Sequence, residues 1–299
     1  MRGSGHRRSK GARPIAQSAS TVHPRPIGGA VNTLHAHLVR LANQAGRSAS
    51  LPTHSESHPG CFEDPTRSRL RALLAQRHHA ACEDLPGVAI APGLQFVETT
   101  DTVLLNGTAI ASGRLAVDPI RCSQLVFLDT ETTGLAGGTG TKAFIVGVAM
   151  LTPPQIRIRQ WLLTRMAAEG ALLQSVAEAL PPNPVLVTYN GKSYDLPLLR
   201  TRYRMNRLPE PFGDAQHLDL LHPVRRRYRN VWPNCRLTTA ETRLLGTVRV
   251  GDLPGSEAPA AWRRFLATGE SDGVRRVLLH NAQDLTSLAR VLFALNAVG

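Results

Sequence analysis

The sequence predicts an α/β layer fold with a mixed central sheet flanked by helices. Three apolar runs of strand length, residues 125–129, 143–151 and 156–163, are joined by short links. Short links between successive strands predict an antiparallel meander. Helices and strands alternate after these runs, and helical patterns close the chain. This order is typical of one sheet covered by helices.

The elements after the meander follow from periodicity and end signals. Two further apolar runs, 185–189 and 217–221, predict strands. Thr238-x-x-Glu241 predicts a capping box that opens a helix, and Asp272 is the predicted N-cap of the last one. The other helical patterns cover residues 169–180, 197–205, 260–267 and 273–296.

The chain divides into three predicted segments. Residues 1–66 are rich in Gly, Pro, Ser, His and Arg and poor in apolar residues, which predicts a disordered basic tail. Residues 67–121 are predicted to form a small α+β lead-in segment, with a helix over 67–82 and short strands over 87–118. Residues 122–299 form the predicted main domain.

Charge and cysteine content limit the function classes. The net charge of +13 favours a polyanionic partner such as nucleic acid. Eight of the 35 Lys and Arg residues lie in residues 1–50, which contain no Asp or Glu, so the excess comes mostly from the tail. The four cysteines form no C-x-x-C pair, which argues against a zinc site or a disulfide framework and fits a reducing, cytoplasmic location. No apolar run has the length of about 18–20 residues that a membrane span needs, so no membrane partner is expected.

The first candidate motif is the Asp129-Thr-Glu131 sequence at the end of a predicted strand. Residues i and i+2 of a strand point to the same side. Two carboxylates on one side repel each other unless a cation lies between them, and a hard divalent ion suits oxygen ligands. The alternative is a solvated strand end that enters a turn at Gly134.

The second motif is the segment from Asn190 to Asp195, where a strand runs into a turn and an acid begins the next helix. Asp195 is a candidate metal ligand, and the alternative is a simple helix N-cap. The triplet Gly191-Lys192-Ser193 is not a phosphate-binding P-loop, because that motif needs Gly at position 186, which is Leu.

The third motif is His280-Asn-Ala-Gln-Asp284 in the last helix. Residues four apart share a helix face, so His280 and Asp284 are expected to lie together. An acid among apolar neighbours in a helix is unusual. The alternative is a surface ion pair or a capped polar patch.

Together, in this order, the three motifs resemble the DEDD superfamily of 3′–5′ exonucleases. That family has D-x-E on a first strand, an N-x-x-x-[FY]-D segment and a late helix with an acid. The strings 127–140 and 217–223 are similar, more specifically, to the bacterial YprB-like ribonuclease H-like domain, and the resemblance covers about residues 122–293. One departure concerns His280, which has three residues between it and Asp284, as the family's tyrosine has before the acid, whereas the family's histidine has four residues between.

The resemblance implies a ribonuclease H-like fold and a metal-dependent 3′–5′ exonuclease acting on single-stranded nucleic acid. Two Mg²⁺ or Mn²⁺ ions would be held by the four carboxylates, with His280 as the candidate base. Further residues near the motifs are predicted to contact nucleic acid: Thr130, Asn190, Lys192, Tyr194, Arg225, Arg226 and Arg227.

Two other functions remain open at this point. A structure-selective endonuclease on the same fold would use a similar carboxylate cluster. A non-catalytic nucleic-acid-binding module is the alternative from a different class, although four mutually repelling acids would serve no purpose in it. DNA and RNA share the scissile phosphate chemistry, so the motifs do not distinguish them.

Overall fold

A computed structural model describes residues 84–103, 109–110, 120–134 and 139–297, together with Arg69. The predicted basic tail and nearly all of the predicted helix over 67–82 lie outside the described residues. The strands are β1 (Val88–Ala91), β2 (Leu94–Thr102), β3 (Ala109–Ile110), β4 (Ile120–Arg121), β5 (Leu125–Thr132), β6 (Ala143–Thr152), β7 (Gln155–Leu163), β8 (Val185–Thr188) and β9 (His217–Asp219). The helices are α1 (Glu169–Ala179), α2 (Asp195–Met205), α3 (Leu221–Tyr228), α4 (Leu237–Ala240), α5 (Ala258–Thr268) and α6 (Asp272–Ala297).

Seven strands form one mixed sheet in the order β1-β2-β7-β6-β5-β8-β9. Strands β5, β6 and β7 form the predicted antiparallel meander, whereas β8 pairs parallel to β5 and β9 parallel to β8. The mixed α/β architecture is therefore confirmed. Strands β1 and β2 extend the same sheet beyond β7, so this part of the predicted lead-in segment shares a sheet with the main domain.

The alternation of side chains along β5 builds a core on both faces of the sheet. Val126 and Leu128 belong to one apolar cluster, which includes side chains of α1, α2 and α5. Leu125 and Phe127 belong to the other, with α3 and the C-terminal half of α6. Because residues i and i+2 share a face, Asp129 and Glu131 continue the face of Leu125 and Phe127 toward α6.

Helix α4 does not begin where the sequence pattern predicts. Thr238 is not an N-cap: helix α4 begins at Leu237 with Arg236 as its N-cap, and a π-helical turn over Glu241–Leu245 continues it. The first helical hydrogen bonds therefore form two residues earlier than the capping-box pattern indicates. In the described part of the chain, no helix is both long and apolar enough to span a membrane.

Candidate functional site

Three elements bring the four predicted acids together beside the C-terminal half of β5, an interior strand of the sheet. Asp129 and Glu131 lie near the end of β5, Asp195 is the first residue of α2, and Asp284 lies in the middle of α6. Glu131 and Asp195 are buried, and the other two are partly exposed. The N-cap position of α2 is Tyr194 and the helix has no side-chain cap, so capping does not account for the acid at 195.

The four acids lie close enough for their negative charges to repel one another. Burial raises the pKa of Asp129 well above its ordinary value, and the charges of Asp284, Asp195 and Glu131 raise it further. Burial and the charges of Asp284, Asp195 and Asp252 raise the pKa of Glu131 to about 8. Burial raises the pKa of Asp195 to about 6 against the hydrogen bond from Thr130. Such mutual perturbation requires the carboxylates to be close together and is typical of functional sites.

A chain of amides fixes the orientation of Asp129. The carbonyl oxygen of Leu278 can only accept, so the Nε2 of Gln160, 2.8 Å away, is its donor. The same Nε2 lies 2.8 Å from the Oδ1 of Asn281, and the Nδ2 of Asn281 donates to the Oδ2 of Asp129 at 2.6 Å. Asn281 is fully buried. One carboxylate oxygen of Asp129, Oδ2, is thereby held by Asn281.

Gly147 makes room for this chain. Across the sheet, Asp129 pairs with Gly147 and Gly147 with Gln160, so Asn281 packs over the glycine between them. A Cβ at position 147 would lie 2.2 Å from the Oδ1 of Asn281.

We expect Gly147→Ala to lower the free energy of unfolding by about 1–3 kcal/mol, the usual cost of overpacking a core. The matched control is Gly170→Ala in α1, where the added Cβ meets only an ordinary contact of 3.6 Å and Ala favours the helix. Urea unfolding of both variants measures the difference. Equal stability of the two variants would contradict the proposed packing.

Asp195 and its loop are held by separate hydrogen bonds. The Oγ1 of Thr130 donates to the Oδ1 of Asp195 at 2.5 Å. The buried carboxylate of Asp219, at the end of β9, accepts from the backbone N–H of Asn190 at 2.7 Å and of Lys192 at 3.0 Å. Asp219 therefore fixes the turn that leads into α2, where Asn190 adopts a φ of 69°.

Asp284 and His280 both contact the guanidinium of Arg249, which lies beside the four acids. The guanidinium of Arg249 forms a two-point ion pair with the buried Glu241 at 2.6 and 2.8 Å and also donates to Asp284. His280 directs its Nε2 toward the cluster, 3.7 Å from the Oδ2 of Asp284 and 4.0 Å from the Oε1 of Glu131. At its spacing of four residues, His280 thus shares the face of Asp284.

The donor set of the four acids fits a hard divalent cation. All four supply oxygen, which Mg²⁺ and Mn²⁺ prefer, and a bound cation would offset the repulsion that raises their pKa values. In the part of the chain that the structure describes, no three Asp, Glu, His or Cys side chains are grouped closely enough to hold one ion as they stand. Oxygens of three of the acids accept hydrogen bonds instead, from Asn281, Thr130 and Arg249.

The predicted nucleic-acid contacts lie on β5, in the loop before Asp195 and on α3. Asn190 and Lys192 are exposed, whereas the hydroxyl of Thr130 is already bonded to Asp195. The hydroxyl of Tyr194 donates to the carbonyl of Gly134 at 3.0 Å, which links the turn after β5 to α2. The three predicted arginines, Arg225, Arg226 and Arg227, are exposed on α3.

Two aromatic residues that follow the arginines of α3 contact each other. The rings of Tyr228 and Trp232 stack with their centroids 4.0 Å apart and their planes 3° from parallel, and both pack against the apolar cluster beneath α6. One face of each ring is thus already covered.

The motifs alone did not identify several residues that hold the site. Asn281 follows His280 directly, and its place three residues before Asp284 on one helix face is a signal that could have been used. Asp219 lies in the string 217–223, where an acid at the end of a strand is a similar signal. Arg249 and Asp252 have no local signal, because they lie in an irregular segment whose position depends on tertiary structure.

Comparison with known proteins agrees with this architecture. A family model described as the RNase_H superfamily matches residues 126–296. Over 198 residues the chain is 37% identical to the uncharacterized protein YprB of Bacillus subtilis (strain 168), a match that covers 64% of this chain and 47% of that protein. The chain thus spans about half the length of this relative. The ribonuclease H-like fold and the likeness to YprB are confirmed, and the chain belongs to the RNase_H superfamily.

Proposed function

We propose that this chain is a metal-dependent 3′–5′ exonuclease that hydrolyses phosphodiester bonds of single-stranded nucleic acid. Membership of the RNase_H superfamily supports a nuclease-type domain. The observation that carries the finer proposal is the cluster of four acids from β5, α2 and α6, in which the charges of Asp195 and Asp284 raise the pKa values of Asp129 and Glu131. Carboxylates that repel one another in this way are typical of sites where a cation offsets the repulsion.

The residues of the candidate site divide into metal ligands, supporting residues and a proton acceptor in the proposed reaction. Asp129, Glu131, Asp195 and Asp284 would hold two Mg²⁺ or Mn²⁺ ions. Bound ions of this kind lower the pKa of a water nucleophile and stabilise the leaving 3′ oxygen. Asn281 and Thr130 hold Asp129 and Asp195 in place. His280, whose Nε2 faces the cluster, is the proposed acceptor of the water proton.

Basic side chains beside the cluster would contact the phosphate backbone. The turn that carries Lys192 is tied to Asp219, and α3 with its three arginines begins two residues later. Phosphates are drawn to such surfaces without regard to base sequence. This arrangement supports the binding of a single nucleic-acid strand along α3, with its 3′ end at the four acids.

The decisive experiment is a degradation assay on matched DNA and RNA oligomers with the full-length protein. Each oligomer carries a 5′ fluorophore and either a free or a blocked 3′ end, and the reactions contain Mg²⁺, Mn²⁺ or EDTA. We expect a ladder that shortens from the free 3′ end, depends on the metal and is prevented by the block.

The other outcomes have equally clear readings. Cleavage of the blocked oligomers would identify an endonuclease. Binding without cleavage under every metal condition would identify a nucleic-acid-binding module. Either result would overturn the proposal, and preference for one oligomer type assigns DNA or RNA. A cytoplasmic location is a separate proposal, which subcellular fractionation tests.

The basic tail is expected to increase affinity without taking part in catalysis. Its eight positive charges release counterions when they contact phosphates. Deleting residues 1–66 should therefore flatten the plot of log affinity against log salt concentration while leaving the maximal cleavage rate unchanged. Fluorescence anisotropy at several salt concentrations measures the slope. An unchanged slope would contradict the predicted contact.

A further inference from the structure

Asp252, which none of the motifs includes, contacts the histidine of the candidate site. Its Oδ1 lies 2.7 Å from the Nδ1 of His280, and its Oδ2 accepts from the Nη1 of Arg249 at 3.0 Å. We propose that Asp252 is a positioning residue that holds His280 in the tautomer whose Nε2 has no proton and faces the carboxylate cluster. The inference rests on the proposed function only in that the cleavage reaction needs this nitrogen as a proton acceptor.

The hydrogen-bond partners assign the proton on the ring. An ionised carboxylate only accepts, so the 2.7 Å contact requires Nδ1 of His280 to donate to Asp252. The Nη1 of Arg249 lies 3.3 Å from the same Nδ1, but a guanidinium only donates and cannot share a hydrogen bond with an N–H. In the neutral ring, Nε2 then carries the lone pair.

Without Asp252, the other neighbours of the ring would favour the opposite tautomer. Nε2 lies 3.7 Å from the Oδ2 of Asp284 and 4.0 Å from the Oε1 of Glu131, and both oxygens attract a proton to that nitrogen. The closer contact of Nδ1 with Asp252, at 2.7 Å, favours a proton on Nδ1 instead. Both Nε2 distances exceed a direct hydrogen bond, so Nε2 can accept from a water that lies among the carboxylates.

Asp252 is itself held from the other side. Arg249 is anchored on the buried Glu241 and is only 7% exposed in its side chain. The segment between Gly246 and Gly251, whose φ angles are 65° and 68°, turns Arg249 inward. Burial raises the pKa of Asp252, but the hydrogen bonds from His280 and Arg249 outweigh burial and lower the pKa below its ordinary value. The carboxylate therefore stays an acceptor.

The test is Asp252→Asn in the full-length protein. Arg249 only donates, so the new amide must turn its oxygen to Arg249 and its NH₂ to His280. That NH₂ needs an unprotonated Nδ1, which moves the ring proton to Nε2. We expect ¹⁵N NMR of histidine-labelled protein at pH 8.5 to show Nδ1–H in the wild type and Nε2–H in this variant. His280→Gln identifies the resonance, and Asp214→Asn, an exposed acid, is the control.

Kinetics separate positioning from a merely structural role. If His280 accepts the proton, Asp252→Asn lowers kcat by about 10²–10⁴-fold with little change in KM. The double variant with His280→Ala is then no slower than His280→Ala alone, because the two residues act as one unit. A wild-type ring with a proton on Nε2, or additive losses in the double variant, would overturn the inference. The NMR result stands even if no cleavage is found, so failure of the proposed function is distinguishable.

Discussion

Replacing Asp129 by Asn is expected to abolish metal-dependent cleavage while the protein stays folded. The Oδ2 of Asp129 accepts a hydrogen bond from Asn281 at 2.6 Å, and the carbonyl oxygen of an asparagine can accept the same bond. The shape of the site is therefore kept. The negative charge is lost, and with it much of the affinity for two divalent ions that the proposed reaction needs.

His280→Ala is the informative comparison for this variant. A general base contributes about 10²–10⁴-fold to the rate, so His280→Ala should retain weak activity that rises with pH as hydroxide replaces the base. The cleavage rate of Asp129→Asn should be lower than that of His280→Ala at every pH. A pH–rate series at saturating Mg²⁺ measures both variants, and thermal unfolding shows whether each is folded.

Two results would contradict the expected ranking. Equal residual rates for the two variants would mean that the acid does no more than the histidine. Full cleavage by folded Asp129→Asn would exclude the metal site proposed for the four acids. Loss of activity together with a lower Tm would indicate damage to the chain of amides through Gln160 and Asn281, which Gly147→Ala tests separately.

Periodicity was a good guide to the strands and helices because each carries its own apolar pattern. Strand β5 alternates between the two core clusters, and the same alternation carries Asp129 and Glu131 to one side. The late helix α6 is likewise amphipathic enough to be recognised. The predicted capping box at Thr238 was wrong, because a local pattern competes with how the chain enters α4 from the preceding loop.

Residues that support the site were harder to predict because their roles depend on contacts distant in sequence. Asn281 reaches Asp129 across 152 positions, and Gln160 reaches Asn281 across 121. Arg249 and Asp252 lie in a segment without regular structure, and only the packing of that segment against α6 brings them to His280. Spacing rules apply within one element and give no information on such contacts.

Glu131→Gln is expected to stabilise the metal-free protein at pH 8 and to weaken its response to Mg²⁺. The pKa of Glu131 rises from 4.5 to about 8, through burial and through the charges of Asp284, Asp195 and Asp252. Between these two values the folded protein retains a proton that the unfolded chain loses. Stability therefore falls as pH rises through this window.

The variant removes this proton uptake, so its stability should depend less on pH. The difference from the wild type should grow by about 2–4 kcal/mol between pH 5 and pH 8, since one pKa unit corresponds to 1.36 kcal/mol. Mg²⁺ acts in the opposite direction, because an ion that binds only the folded state raises its stability. The wild type should gain more from Mg²⁺ at pH 8 than the variant.

Urea unfolding in EDTA and in Mg²⁺, at several pH values, measures both effects. Glu178→Gln is the matched control, because Glu178 is an exposed acid on α1 outside the cluster, and it should follow the wild type in every condition. Parallel pH profiles for Glu131→Gln and the wild type would mean that Glu131 is not held protonated by its neighbours. If Glu131→Gln and the wild type also gained equal stability from Mg²⁺, Glu131 would not be one of the metal ligands. The expected result is that Glu131→Gln is more stable than the wild type at pH 8 in EDTA and that the wild type gains more stability from Mg²⁺. That result would link the repulsion among the acids to ion binding, because the same carboxylate would account for the lower stability in EDTA and for the larger response to Mg²⁺.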